Sequence, residues 1–255
     1  MDTFNASLSK VPEVLGLAKH AKSDAQPGLL FLGGGGSAAD EADLWNEAFQ
    51  PGQRIVIWPF AQPRERWAGT LAWFTGALAA RSELSSFGSI TMADMVPGGG
   101  LDAADILVVP GGNTFELLAI LRSQGLLDNL RDFIERGGKY YGGSAGAVLV
   151  GADIGLIDVE RGAFDENTVG LQDTQGLALM GDITVFPHWE PQVGPAEHEA
   201  WSREKNLRVL CTPEKSGVVI DLAGRTGTNK GPLDVTLFSP DGHRQTIKPE
   251  ESFTF

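Results

Sequence analysis

The sequence predicts an α/β fold: a mostly parallel sheet with helices on both faces and extra strands toward the C-terminus. Three observations carry this expectation. Short apolar or aromatic runs recur at Leu29–Leu32, Ile55–Phe60, Ile106–Val109 and Lys139–Tyr141. Each runs into a Gly- or Pro-containing turn and then into a stretch of helical character. Beyond residue 180 the runs shorten and turn signals crowd together. Unbroken apolar strands alternating with helices are the signature of a parallel sheet covered on both faces by right-handed crossovers. Ligands in such sheets bind at the carboxyl ends of the strands.

The elements follow in order. Residues 1–28 are polar and weakly amphipathic, close on Gln26-Pro27-Gly28, and read as an N-terminal extension or a peripheral helix. Residues 29–255 are expected to form a single α/β domain. Leu29-Leu30-Phe31-Leu32 enters Gly33-Gly34-Gly35-Gly36-Ser37 and then a helix rich in Ala, Glu and Asp. Arg54–Phe60 precedes a long helical stretch near 64–81, and Ile106–Val109 precedes Pro110-Gly111-Gly112-Asn113. Ile183–Phe186, Val209–Cys211, Val218–Ile220 and Val235–Phe238, the last before Pro240-Asp241-Gly242, read as added strands and hairpins on the same domain.

Composition narrows the function. The chain has 255 residues, 42% hydrophobic and 21% charged, enough for one large core. A net charge of -13 disfavours phosphate backbones and anionic lipid surfaces, so neither nucleic acid nor membrane is an expected partner. An acidic small substrate would need a local Arg or Lys. The single cysteine, Cys211, rules out an intramolecular disulfide and a multi-cysteine zinc site. Met1-Asp2-Thr3-Phe4 starts no signal peptide, and no stretch approaches a membrane span, so the expected location is the cytoplasm. A monomer or a homodimer is equally compatible with this sequence.

Gly142-Gly143-Ser144-Ala145-Gly146 fits G-x-S-x-G, in which small residues let a strand turn sharply into a helix and leave the central hydroxyl exposed. The match alone is weak, because a glycine turn whose serine caps a helix looks the same. Its setting, an aromatic strand end before and Ala147-Val148-Leu149-Val150 after, is the required strand–turn–helix. A seryl hydroxyl needs a general base. Of four histidines, His20 lies in the extension, His198 among acidic residues in a solvated helical stretch, and His243 in a terminal turn. His188 follows the strand Ile183–Phe186 and is the candidate base. For the carboxylate that orients it, Glu214 after Val209–Cys211 is the first choice and Asp158 the second. The Ala145 amide and a backbone N–H of the turn Gly111-Gly112 would supply an oxyanion hole, a role that the family resemblance given below implies for Gly112. Asn113 is a candidate substrate contact, and with Glu116 three residues on it also has the spacing of a helix cap.

Pro110-Gly111-Gly112-Asn113-Thr114-Phe115, Gly143-Ser144-Ala145-Gly146-Ala147, Phe186-Pro187-His188 and Pro213-Glu214 together resemble the peptidase E (aspartyl dipeptidase) family over about residues 29–240. The order Ser, His, Glu separates it from α/β-hydrolases, whose acid precedes the histidine. The resemblance implies a flavodoxin-like fold similar to class I glutamine amidotransferases and hydrolysis of dipeptides with an N-terminal aspartate. It assigns Ser144, His188 and Glu214 to the triad and implies no metal or organic cofactor. Ser202-Arg203-Glu204 resembles the segment whose arginine holds the aspartyl side chain; the competing reading of Arg203 is a surface arginine paired with a glutamate. Three features depart from the pattern: the N-terminal extension, a long stretch from Gly162 to Met180, and Gly143 directly before the nucleophile. The alternatives are a cyanophycinase-like peptidase cleaving an Asp-Arg polymer, and a non-catalytic amidotransferase-like binding module.

Overall fold

A computed structural model of the chain describes residues 26–81, 89–92, 97–192 and 194–255. Nearly all of the expected N-terminal extension, His20 included, lies outside the described residues.

The large sheet has eight strands. Five of them, β1 (Leu30–Gly33), β2 (Arg54–Ile57), β3 (Ser89–Met92), β4 (Ile106–Val109) and β5 (Lys139–Gly143), run parallel in the order β3-β2-β4-β5-β1. Alternate residues of the same strand feed different cores, as the period of two demands. Leu30, Leu32, Val56, Leu107, Val109 and Tyr140 join one cluster, whereas Phe31, Ile55, Ile57, Ile106, Val108 and Tyr141 join the other. Both faces are buried, and so these strands read as unbroken apolar runs. The second cluster is closed by α1 (Ala42–Ala48) and α2 (Trp67–Ala79), through Leu44, Trp45, Phe74 and Leu78. The first is closed by α3 (Thr114–Ser123), α4 (Leu126–Glu135) and α5 (Ala145–Leu149). Strand β3 escaped the sequence reading because Ser-Ile-Thr-Met at an outer edge carries no apolar run.

The C-terminal strands do not all extend this sheet. Strands β8 (Gly217–Asp221), β9 (Thr226–Asn229) and β12 (Ser252–Thr254) continue it antiparallel beyond β1. Strands β6 (Ile183–Phe186), β7 (Arg208–Cys211), β10 (Val235–Phe238) and β11 (Arg244–Ile247) form a separate four-stranded sheet in the order β11-β10-β7-β6. Its β6 and β7 are parallel and joined by α6 (Pro195–Lys205). The β10–β11 hairpin turns at Pro240-Asp241-Gly242, where Gly242 takes φ 87°. Val185, Leu210 and Phe238 of this sheet share a core cluster with Leu30 and Tyr140 of the large one. No helix among the described residues is long and apolar enough to cross a membrane.

Candidate active site

Ser144 stands between β5 and α5 with φ 50° and ψ −109°. A non-glycine residue held at positive φ costs about 1–3 kcal/mol, and such residues persist where the surroundings over-determine them. The surroundings here are glycines. A Cβ on Gly146 would lie 2.1 Å from the Val109 carbonyl oxygen, and one on Gly142 would lie 2.6 Å from the Gly146 carbonyl carbon. The Ser144 side chain makes no capping bond to α5. Its Oγ lies instead 2.8 Å from His188 Nε2.

His188 also has positive φ, 54°. It follows β6, and Glu214 follows β7; the parallel register pairs Phe186 with Cys211 and carries both residues off the same end of the small sheet. His188 Nδ1 comes 2.9 Å from Glu214 Oε1. With a proton on Nδ1 donated to Glu214, the Nε2 lone pair faces the seryl hydroxyl. Backbone bonds lock the small sheet's loops onto the glycine turn after β1: His188 N–H donates to Gly34 O (2.8 Å) and Lys215 N–H to Gly35 O (3.0 Å). The turn must be glycine, since a Cβ on Gly35 would stand 2.3 Å from the imidazole Cε1.

The second-choice acid takes no part in this line. Asp158 caps a short 3-10 turn, its Oδ1 accepting from Glu160 N–H at 3.0 Å. Glu214 alone reaches His188 because only its loop leaves the strand paired with β6. We therefore predict that Glu214→Ala lowers kcat by about 10²-fold or more, toward the large losses seen when a triad acid is removed. Asp158→Ala should leave kcat within about twofold, and steady-state kinetics on the two variants checks both. An equal loss in the two would break the assignment.

The turn after β4 lies against the nucleophile: a Cβ on Gly111 would be 3.1 Å from Ser144 Cβ. Gly112 has φ 149°, and a Cβ there would meet the Ala61 carbonyl oxygen at 2.0 Å. The Gly112 and Ala145 amides have no protein acceptor among the described residues, which leaves two N–H groups beside Ser144 for a developing negative charge. Asn113 turns out to be occupied structurally. Its Oδ1 caps α3 by accepting from Glu116 N–H (3.0 Å), and its Nδ2 donates to Glu166 O (2.7 Å). Asp165, which sequence reasoning passed over, is buried and accepts from Thr114 N–H at 2.8 Å, so the long loop before β6 is pinned to the start of α3. Burial pushes its carboxyl up and the Thr114 bond pulls it down. Phe164 on the same loop packs edge-on against the His188 ring, centroids 5.3 Å apart. The stretch that looked too long is a wall of the site.

Three clefts meet at His188. One, of about 640 Å³, is lined by Ser144, Gly143, Gly111, Glu41, Arg66, Trp73 and neighbours. A second, of about 520 Å³, runs past Arg161, Phe164, Glu190, Glu197 and His198. The third, of about 830 Å³, runs past Glu190, Glu214, Lys215 and Leu233. Gly143 opens the first: a Cβ there would have only the Tyr141 phenol as neighbour, at 3.5 Å. Arg203 is exposed in the last turn of α6 and lines none of the three clefts. The spacing of Ser-Arg-Glu does not reveal which face of α6 the guanidinium occupies. His198, expected in solvent, is 6% exposed, its ring 4.2 Å from that of Phe186 and its Nδ1 2.6 Å from Gly194 O. Burial lowers its pKa. Of its acidic neighbours in sequence, Glu197 is exposed and Glu199 half-buried.

Glu41 was also missed. It is 3% exposed at the entry of α1, accepts from Gly35 N–H (3.0 Å) and from the Tyr141 hydroxyl (2.6 Å), and burial raises its pKa. The only signal in the sequence was an acid placed just after a strand-end glycine turn.

Comparison with known proteins gives a consistent result. The model of Peptidase family S51 matches residues 45–223. Peptidase E of Escherichia coli O6:K15:H31 (strain 536) is 30% identical over 178 residues, 69% of this chain and 72% of its own length. Peptidase E of Escherichia coli K12 (DH10B) matches at the same identity and coverage. Among solved structures, a peptidase from an acI-B1 Actinobacterium matches with a TM-score of 0.66 at 16% identity, covering 90% of this chain and 98% of that one. A putative Peptidase E protein from Listeria monocytogenes EGD-e gives 0.62 at 23% identity, over 80% and 98%. The two structures speak for the fold.

Proposed function

The chain belongs to peptidase family S51 and is a serine-type peptidase; from that premise we propose that it hydrolyses dipeptides bearing an N-terminal aspartate through Ser144, His188 and Glu214. The carrying observation is the continuous line of contacts, 2.8 Å from Ser144 Oγ to His188 Nε2 and 2.9 Å from His188 Nδ1 to Glu214 Oε1. His188 Nε2 takes the seryl proton as Oγ attacks the scissile carbonyl carbon. Glu214 stabilises the imidazolium that forms, and the amides of Gly112 and Ala145 receive the oxyanion. Collapse of the tetrahedral intermediate breaks the C–N bond, with His188 returning its proton to the leaving amine. Water then resolves the acyl-enzyme by the same proton route.

The aspartyl carboxylate needs a cation in an otherwise acidic protein. Arg66 lines the cleft that holds Ser144. Arg161 lines the second cleft, where Glu204 stands 3.6 Å away and Glu190 and Glu197 add like-signed neighbours that offset its charge. Lys215, in the third cleft, stands 3.8 Å from Asp40, so Arg66 is the better partner, and Arg203, outside all three clefts, is the weaker one. The test is a panel of Asp-X, Glu-X, Ala-X and cyanophycin on the wild type and on Arg66→Ala, Arg161→Ala and Arg203→Ala. Arg66→Ala should reduce the Asp-X over Ala-X preference by about 10- to 100-fold, the worth of one charge-assisted contact. Loss of the preference in Arg203→Ala alone would return the role to α6. Turnover of cyanophycin in place of dipeptides would shift the substrate to the Asp-Arg polymer.

A further inference from the structure

Glu41 is a buried carboxylate that the mechanism above does not use. Among the described residues no Lys or Arg pairs with it, although burying an uncompensated carboxylate is costly. It lines the cleft that contains Ser144. Two routes fix its closeness to the nucleophile. A Cβ on Gly33 would lie 2.4 Å from Glu41 Oε1, and Gly33 pairs with Gly143 and accepts from the Ser144 amide at 3.3 Å. The Tyr141 hydroxyl donates to Glu41 Oε2 at 2.6 Å while standing against Gly143. Trp45 Nε1–H in turn donates to the Tyr141 oxygen at 3.0 Å, so the carboxylate is held rigidly from below. Its two oxygens accept two bonds and have capacity for about two more.

A fixed anion at this place calls for a cation from the substrate. In a peptide whose carbonyl is presented to Ser144, the positive group nearest the reacting carbon is the α-ammonium of that same residue, two bonds away. We propose that Glu41 binds this α-ammonium and thereby restricts cleavage to the peptide bond of a residue with a free N-terminus. The proposal rests on the peptidase reading and adds to it a specificity-determining residue. Together with Arg66, the cleft would recognise both charged groups of an N-terminal aspartate. The competing role is a strut, in which Glu41 only holds the Gly35 turn against His188.

The experiment compares Asp-X with N-acetyl-Asp-X on the wild type and on Glu41→Gln, and follows the rate of labelling by a fluorophosphonate, which carries no ammonium. Wild type should prefer the free amine by about 100-fold or more, as a desolvated charge pair permits. Glu41→Gln should lose most of that preference, through KM rather than kcat, with labelling changed by less than about threefold. Tyr141→Phe, which keeps the carboxylate, should keep the preference. Thermal unfolding reports whether the variant folds. The wild-type carboxyl has a raised pKa in the folded state, so its contribution is full at acidic pH and is lost as pH rises through that pKa. Glu41→Gln should therefore gain stability relative to wild type as pH rises from mildly acidic toward neutral. Equal turnover of free and acetylated substrate by the wild type, or a uniform fall of both substrates and of labelling in Glu41→Gln, would overturn the proposal. A folded wild type that neither labels nor cleaves any peptide would overturn the peptidase reading as well.

Discussion

Ser144→Ala is expected to abolish covalent labelling by a fluorophosphonate and to lower kcat on Asp-X by about 10⁴- to 10⁶-fold, with KM little changed. The hydroxyl 2.8 Å from His188 Nε2 is the only atom removed. Substrate would still bind, and the Gly112 and Ala145 amides would still polarise its carbonyl, so a small residual rate over water is expected. The elbow itself should survive, because the positive φ of this position is imposed by the glycines around it and not by the serine side chain. Unchanged thermal unfolding alongside the lost activity is the check. A variant that keeps more than about one percent of wild-type kcat would remove Ser144 from the chemistry.

The second large effect is at Gly112. A Cβ there would stand 2.0 Å from the Ala61 carbonyl oxygen, and backbone does not yield as a flexible side chain does. Gly112→Ala must therefore move the turn, breaking the 2.7 Å bond from Asn113 N–H to Ala61 O and carrying the Gly112 amide away from the oxyanion position proposed for it. Loss of one such donor lowers kcat by about 10²- to 10³-fold. Stability should fall too, whereas Gly76→Ala in α2, with no atom within 4 Å of the added carbon, should stabilise by about 0.5–1 kcal/mol. Parallel measurement of kcat and thermal unfolding separates the two glycines. A Gly112→Ala enzyme with wild-type kcat would show that the turn is not a donor.

Much of this architecture is legible in the chain. The runs at Leu30–Leu32, Ile55–Ile57 and Ile106–Val109 announce a sheet buried on both faces, since any strand with one wet face would alternate. The glycines at 142, 143 and 146 announce a sharp strand-to-helix turn. What the runs do not carry is the identity of their sheet. Ile183–Phe186 and Val209–Cys211 look like further strands of the main sheet, yet they form a second one, so the strand end that His188 follows belongs to the small sheet and not to the large one. The sequence does not show that His198 is buried or that Arg203 is exposed. Both depend on which face of α6 turns inward, and that helix has no clear apolar stripe to reveal it.

The sequence by itself determined the class of fold and the elbow, because backbone geometry and strand burial are written locally in glycine positions and apolar periods, and it offered candidates for the nucleophile, the base and the acid. Only the tertiary structure decided how those parts meet. It brought Glu214 rather than Asp158 to His188, placed Arg66 in the cleft that holds Ser144, and buried Glu41 in the wall of that cleft. The His188–Glu214 and Tyr141–Glu41 contacts join residues 26 and 100 positions apart in the chain, the first across two paired strands of the small sheet and the second between β5 and the entry of α1. The energy of such a contact depends on which surfaces are removed from water together, and no single segment contains that information.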